Sequence, residues 1–222
     1  MPLIVLEGVD ASGKATQTKL LYERLILDGK KVEKITFPVY ESKSSEPVKM
    51  YLSGELGNDA SKINPYAASA LFAVDRFCSY KTTWGKFLED GGIVIADRYV
   101  TSNFIHQASK IESLDEKEAF LTYQSDFEYE KLGLPKPDMV LFLDVPPEVS
   151  LALIKERENK FTHSDEHDIH ESDPTYLTKS YDNAKYVADK FNFETIKCTR
   201  CKKLKSIEAI HEMIYEKVKA II

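Results

Sequence analysis

The sequence predicts an α/β fold, a three-layer doubly wound sandwich around a central, mostly parallel five-stranded sheet. Five short apolar runs alternate with longer stretches of helical period. Three of those runs are almost uninterrupted in apolar character, which suits strands covered on both faces. Strand–helix alternation along one chain is the pattern of a parallel sheet with helices on either side. The length of 222 residues corresponds to one large domain at about 150 residues per domain. There is no internal repeat and no low-complexity tract.

The strands are expected at 3–6, 32–37, 93–96, 139–143 and, more weakly, 195–198. A helix is expected over 16–28, carrying Leu20, Leu21, Leu25 and Ile26 and stopping at Gly29. Two long helices follow at 65–88 and 114–131, and one at 147–158 opens on Pro147, a good helix-start residue. The last, 204–222, carries Ile207, Ile210, Ile214, Val218 and Ile221. In sheets of this kind ligands sit beyond the carboxyl ends of the strands.

Composition narrows the partners. A 43% hydrophobic and 30% charged chain is globular, and its net charge of −6 argues against wrapping nucleic acid, whose backbone is gripped by surplus Lys and Arg. No run approaches the ~18 apolar residues of a membrane span. The first residues lack the basic region of a signal peptide. Three cysteines are too few for a disulfide scaffold, so a cytoplasmic protein is expected.

The sharpest local signal is Gly8-Val9-Asp10-Ala11-Ser12-Gly13-Lys14-Ala15-Thr16, between the first strand and the first helix. The spacing G-x-x-x-x-G-K in a strand–loop–helix context is that of a phosphate-binding loop. Gly8 and Gly13 let successive N–H groups point at one anion. The helix dipole adds to this, and Lys14 reaches the β- and γ-phosphates. The residue after the lysine usually offers a hydroxyl to Mg²⁺; here it is Ala15, with Thr16 about 100° further round the helix.

Further blocks follow in order: Phe37-Pro38; Tyr51-Leu52-Ser53-Gly54-Glu55-Leu56-Gly57; Leu71-Phe72-Ala73-Val74-Asp75-Arg76; Asp97-Arg98-Tyr99 with Ser102 and Gln107; and Leu143-Asp144-Val145-Pro146-Pro147-Glu148. With these in place the chain resembles the thymidylate kinase family of P-loop nucleoside monophosphate kinases nearly end to end, least between about 159 and 175. The resemblance implies transfer of the ATP γ-phosphoryl to dTMP, giving ADP and dTDP for dTTP synthesis, with Mg²⁺ as cofactor. It implies a single kinase domain over 1–222, an acceptor region at about 37–110 and a mobile lid at about 155–175. It also implies a homodimer.

Carried over residue by residue, the family pattern puts ATP on Gly8 to Thr16. Asp10 would contact the sugar 3′-hydroxyl, Phe72 stack on thymine, and Arg76 and Arg98 fix the acceptor. Phe37, Ser102 and Gln107 would complete its pocket, and Asp97 would hold Mg²⁺ through water. Lys14, Asp10, Asp97, Arg98 and Arg157 form the catalytic set. From pattern alone, Phe72 and Arg76 fit a core ring and a surface cation better than a pair of ligand contacts; the family match reverses that preference. Two positions depart from the family. Val39-Tyr40 stand where many members carry an arginine, and Ala11-Ser12 replace a loop arginine that others supply from the lid. The lid candidate is Arg157, with Lys155 and Lys160 nearby.

The lid turns acidic at Asp165, Glu166, Asp168, Glu171 and Asp173, and it carries His163, His167 and His170 at helical spacing. We read these as a solvated flap rather than a metal site. Cys198-Thr199-Arg200-Cys201 is read as a strand-end cysteine followed by a loop cysteine, and that loop up to Ser206 is expected to border adenine. Rival readings are a related kinase with another nucleotide or deoxynucleoside acceptor, and an ATP-binding protein with reduced transfer activity, the latter motivated by Ala15.

Overall fold

The structure, a computed structural model, describes residues 2–57, 59, 62–160 and 174–222, with the backbone alone for 156–160 and 174. Strands β1 (Leu3–Glu7), β2 (Val32–Thr36), β3 (Ile93–Asp97), β4 (Met139–Asp144) and β5 (Glu194–Lys197) form one sheet in the order β2-β3-β1-β4-β5. Every neighbouring pair is parallel. The side-chain alternation of a strand explains why two cores are needed. On β1, Leu3 and Val5 join an aromatic-rich core with Trp84, Phe104, Phe120 and Phe142. Ile4 and Leu6 point the other way, into an aliphatic core with Leu21, Leu25, Ile210, Ile214 and Val218.

Helix α1 (Lys14–Leu27) follows β1 and packs under the second core through Leu21 and Leu25, while Ile26 turns outward. After β2 come α2 (Glu46–Leu52) and α3 (Pro65–Ser79), the latter capped by the Asn64 side chain, which accepts from the N–H groups of Tyr66 and Ala67. The single helix expected over 65–88 is interrupted. A π-helical turn, Tyr80–Trp84, separates α3 from α4 (Gly85–Glu89), with the Gly85 N–H donating to Tyr80 O. A Cβ at Gly85 would stand 2.5 Å from that oxygen, so glycine is required there.

Beyond β3 lie α5 (Val100–Ser102) and a second π turn, Asn103–Gln107. The expected 114–131 helix is α6 (Leu114–Ser125) followed by a third π turn, Asp126–Lys131. Helix α7 (Pro147–Lys160) follows β4. Helix α8 (Pro174–Lys190) is an element the sequence reading did not separate from the lid, although Leu177, Tyr181, Ala184 and Ala188 form a helical stripe. After β5, β6 (Thr199–Arg200) and β7 (Lys203–Leu204) make a small hairpin, and α9 (Ile207–Lys219) ends the fold.

The hairpin turns at Cys201 and Lys202, both with positive φ, as a tight two-residue connection demands. It separates the two cysteines by environment. Cys198 is buried at the end of β5, where burial pushes its thiol up to about 12, and Cys201 is exposed at the tip. The acidic run and His163, His167 and His170 lie outside the described residues, as does the side chain of Arg157. No helix among the described residues is long and apolar enough to cross a membrane.

Candidate active site

The connection after β1 runs to one side of the sheet and that after β3 to the other, so the crevice at their carboxyl ends is the switch point where such folds take ligands. A cleft of about 650 Å³ opens there. One wall is the loop from Asp10 to Gln17. Gly13, at φ 89°, turns the chain into α1. The Ser12 side chain folds against Gly8, where a Cβ would meet its Oγ at 2.5 Å. Lys14 is buried, and its Nζ donates to the carbonyls of Gly8 at 2.8 Å and Val9 at 2.9 Å. Ala15 and Thr16 are exposed beside it on the cleft surface.

Lys14 titrates low. Burial is the main cause and the charge of Arg98 adds to it, while Asp10, Asp97 and Glu7 work the other way, leaving the ammonium at about 8. The charged form therefore predominates below that pH and is lost above it. If Lys14 must be charged to receive a triphosphate, kcat/KM for ATP, which reports the unliganded protein, falls as pH rises through about 8. A rate profile that stays flat to pH ~9.5 would contradict that role.

The lining continues at the end of β3. Asp97 faces the cleft, almost buried. Arg98 follows with φ 67°, a left-handed conformation that costs a non-glycine residue about 1 kcal/mol or more and persists only when its surroundings hold it. Three groups do so. Its Nη2 pairs with the Asp10 carboxylate, its Nη1 meets His106 Nε2 at 2.8 Å, and its backbone N–H donates to Leu6 O at 3.2 Å. Burial opposes the Arg98 charge, but Asp10, Glu7 and Asp97 outweigh it and hold the guanidinium protonated more firmly than usual.

Glu7, fully buried at the end of β1, fastens the chain just after Arg98. It accepts from Tyr99 N at 3.2 Å, Thr101 Oγ1 at 2.6 Å and Ser102 Oγ at 2.8 Å. Burial pushes its carboxyl up, against the pull of the Thr101 hydrogen bond and of Arg98. Ser102, read from the sequence as a pocket residue, lines the cleft but gives its hydroxyl to Glu7.

Phe37, Phe72, Arg76 and Gln107 also line the cleft. Phe72 meets Tyr51 edge to face, ring centroids 5.8 Å apart. Arg76 is 1% exposed and is not a lone cation. Its Nε and Nη2 donate to the two oxygens of Glu128 at 2.6 and 2.7 Å, and Glu128 also accepts from Asn103 at 3.0 Å and Gln124 at 2.9 Å. Gln107 Oε1 is buried without a hydrogen-bond partner among the described residues.

A profile of the thymidylate kinase family matches residues 6–214. The chain belongs to the thymidylate kinase family. It is 36% identical to the thymidylate kinase of Mycobacterium tuberculosis over 149 residues, 67% of this chain and 68% of that one. A probable thymidylate kinase of Pyrococcus horikoshii is 35% identical over 154 residues, 69% of this chain and 70% of the other. The thymidylate kinase of Schizosaccharomyces pombe is 30% identical over 151 residues, 67% of this chain and 63% of the other.

Within this family's pattern, the segment that lacks an arginine is tied down instead. Asp75 accepts from Val39 N at 2.8 Å and from Ser44 Oγ at 2.6 Å, and Tyr40 lines the cleft. The cations lining the cleft among the described residues are Lys14, Arg76 and Arg98. Sequence reasoning missed Glu7 and Glu128 as buried partners, and His106 and Tyr176 as cleft residues. Leu204 and Ile207, by contrast, border the cleft where the loop up to Ser206 was expected to reach it.

Proposed function

We propose that this kinase transfers the γ-phosphoryl of ATP to dTMP, giving ADP and dTDP for dTTP synthesis. The observation that carries this reading is one cleft in which a phosphate-binding loop with its buried lysine faces Arg98, with an aromatic and amide wall behind. The names of the relatives favour this acceptor over another nucleotide or a binding-only protein. The ATP tail lies along the N–H groups from Gly8 to Thr16, with Lys14 leaving its loop carbonyls for the β- and γ-oxygens. Arg98 takes the acceptor phosphate, Asp10 the sugar 3′-hydroxyl, Phe72 stacks on the base and Phe37 lines its pocket. Gln107, whose Oε1 wants a donor, suits the N3–H of thymine. Arg76, held by Glu128, presents a fixed rather than a mobile cation.

An acceptor phosphate oxygen attacks the γ-phosphorus as its bond to the bridging oxygen breaks, and ADP leaves with that electron pair. The acceptor oxygen is already anionic, so no general base is assigned. Lys14 and Arg98 neutralise charge spread over the transferring group, with Arg157 from the lid (about 155–175) joining them on closure. Asp97 fits Mg²⁺: it is a hard oxygen donor facing the cleft, and among the described residues no side-chain hydrogen bond engages its carboxylate. Asp97 would hold Mg²⁺ through water, and the ion would supply positive charge against the phosphates.

We further infer a single domain over 1–222 with its acceptor region at about 37–110, and a homodimer, supported by Tyr66 and Val74 exposed on α3 and Tyr123 on α6. Three free thiols agree with a cytoplasmic location. Neither nucleic acid nor membrane is a partner in this reading.

An ADP-release assay with dTMP, dUMP, UMP, thymidine and AMP tests the acceptor. dTMP is expected to lead, with dUMP about 10-fold lower in kcat/KM, the worth of one buried methyl. No ADP with dTMP would overturn the reading. Ala15→Ser is expected to leave turnover equal or higher, by adding the hydroxyl ligand the loop lacks. A large loss in that variant would mean that the loop binds metal in another geometry.

A further inference from the structure

A guanidinium has only donors to offer, so the 2.8 Å contact between Arg98 Nη1 and His106 Nε2 fixes the direction of that hydrogen bond. Nε2 is the acceptor and carries no proton. The ring's other nitrogen, Nδ1, lies 3.2 Å from the Tyr176 hydroxyl, and the two rings stack with an interplanar angle of 20°. An Nδ1–H donating to Tyr176 Oη is the arrangement that leaves Nε2 bare. His106 is thus a neutral acceptor on a cation, held in one tautomer by the first turn of α8.

The distinction between its two side-chain partners matters for Arg98. Asp10 orients the guanidinium but also neutralises it. A neutral imidazole orients without cancelling charge, leaving net attraction for a phosphate. Arg98 needs such help, because its left-handed backbone is not its own preference.

The imidazole, in turn, is not what builds the segment that carries it. The π turn Asn103–Gln107 is anchored by Asn183 of α8, whose Nδ2 donates to Phe104 O at 2.8 Å and Ile105 O at 2.7 Å. Phe104 and Ile105 are buried in the core. His106 itself is partly exposed and lines the cleft.

We propose that His106 is the positioning residue of Arg98, accepting from its Nη1 so that the guanidinium meets the acceptor phosphate, with Tyr176 fixing the ring that does so. This rests on the reading of Arg98 as the acceptor-phosphate cation. It makes α8, the helix that follows the lid segment in the chain, part of the acceptor site.

The test uses the full chain in the ADP-release assay, varying dTMP and ATP separately, beside calorimetric titration with dTMP alone. His106→Phe keeps a planar ring and removes the acceptor. It is expected to lower kcat/KM for dTMP about 10- to 100-fold, the worth of one charge-assisted hydrogen bond, to weaken dTMP binding, and to leave KM for ATP unchanged. His106→Gln, whose amide oxygen can accept in place of Nε2, is expected to recover most of the loss. Tyr176→Phe, which frees the tautomer but keeps the stack, is expected to cost about 2- to 5-fold.

A His106→Phe variant with the parent's kinetics, an equal rise in KM for both substrates, or no recovery in His106→Gln would each overturn the proposal while leaving the acceptor reading intact. A parent that binds ATP but does not phosphorylate dTMP would overturn the acceptor reading first, and this proposal with it. If His106→Phe fails to fold, Tyr176→Phe decides alone. A loss confined to the dTMP parameters supports the positioning role, and unchanged kinetics or a loss shared with ATP overturns it.

Discussion

Lys14→Ala is expected to lower kcat at least about 10²-fold while leaving the fold intact, as removal of one preorganised transition-state charge partner does. The ammonium sits on the carbonyls of Gly8 and Val9, inside the loop that would cradle the triphosphate. Deleting it strips those carbonyls of a donor, but it also relieves the burial that holds the ammonium down near 8. Stability therefore changes little compared with turnover. Circular dichroism and a melting curve check the fold, and single-turnover rates at saturating ATP check the chemistry. Near-normal turnover would remove Lys14 from the mechanism. A rise in KM for ATP without a fall in kcat would make it a binding residue only.

The strands and the phosphate-binding loop were legible because their signals are local. Uninterrupted apolar runs do mark strands covered on both faces, and β1 distributes alternate residues between the two cores as its period of two requires. The loop needed only its glycines, its lysine and a following helix. What escaped was set by distant or irregular geometry. The π turns insert one residue into a helical turn, and a 3.6-residue pattern carries no mark of that. Arg98 is placed by Asp10, 88 positions away in the chain, and by a histidine on one of those π turns. Helix α8 was hidden for a different reason. Its first residues were assigned to the lid, although its apolar stripe was there to be counted.

Glu128 shows what such an irregular turn can conceal, and its removal is expected to have the largest effect on stability. Nothing in the local pattern around it separates it from the exposed acids of the same stretch, yet the π turn swings it inward until it is 0% exposed. There it receives both arms of Arg76 and the amides of Asn103 and Gln124. Breaking a buried pair by deleting one partner strands the other charge, at a cost of about 3–5 kcal/mol. Glu128→Ala is therefore expected to lower Tm by about 10 °C in a domain of this size, by calorimetry. Glu128→Gln keeps an acceptor but not the charge, and should fall between that variant and the parent. Replacing Arg76 and Glu128 together by apolar residues of similar volume should recover much of the loss in stability, because no charge is then left buried alone. The double variant should still lose dTMP affinity, since Arg76 lines the cleft. A Glu128→Ala protein melting within ~2 °C of the parent would mean that Arg76 finds water or another anion, and that the pair is not what holds α3 against the turn after α6.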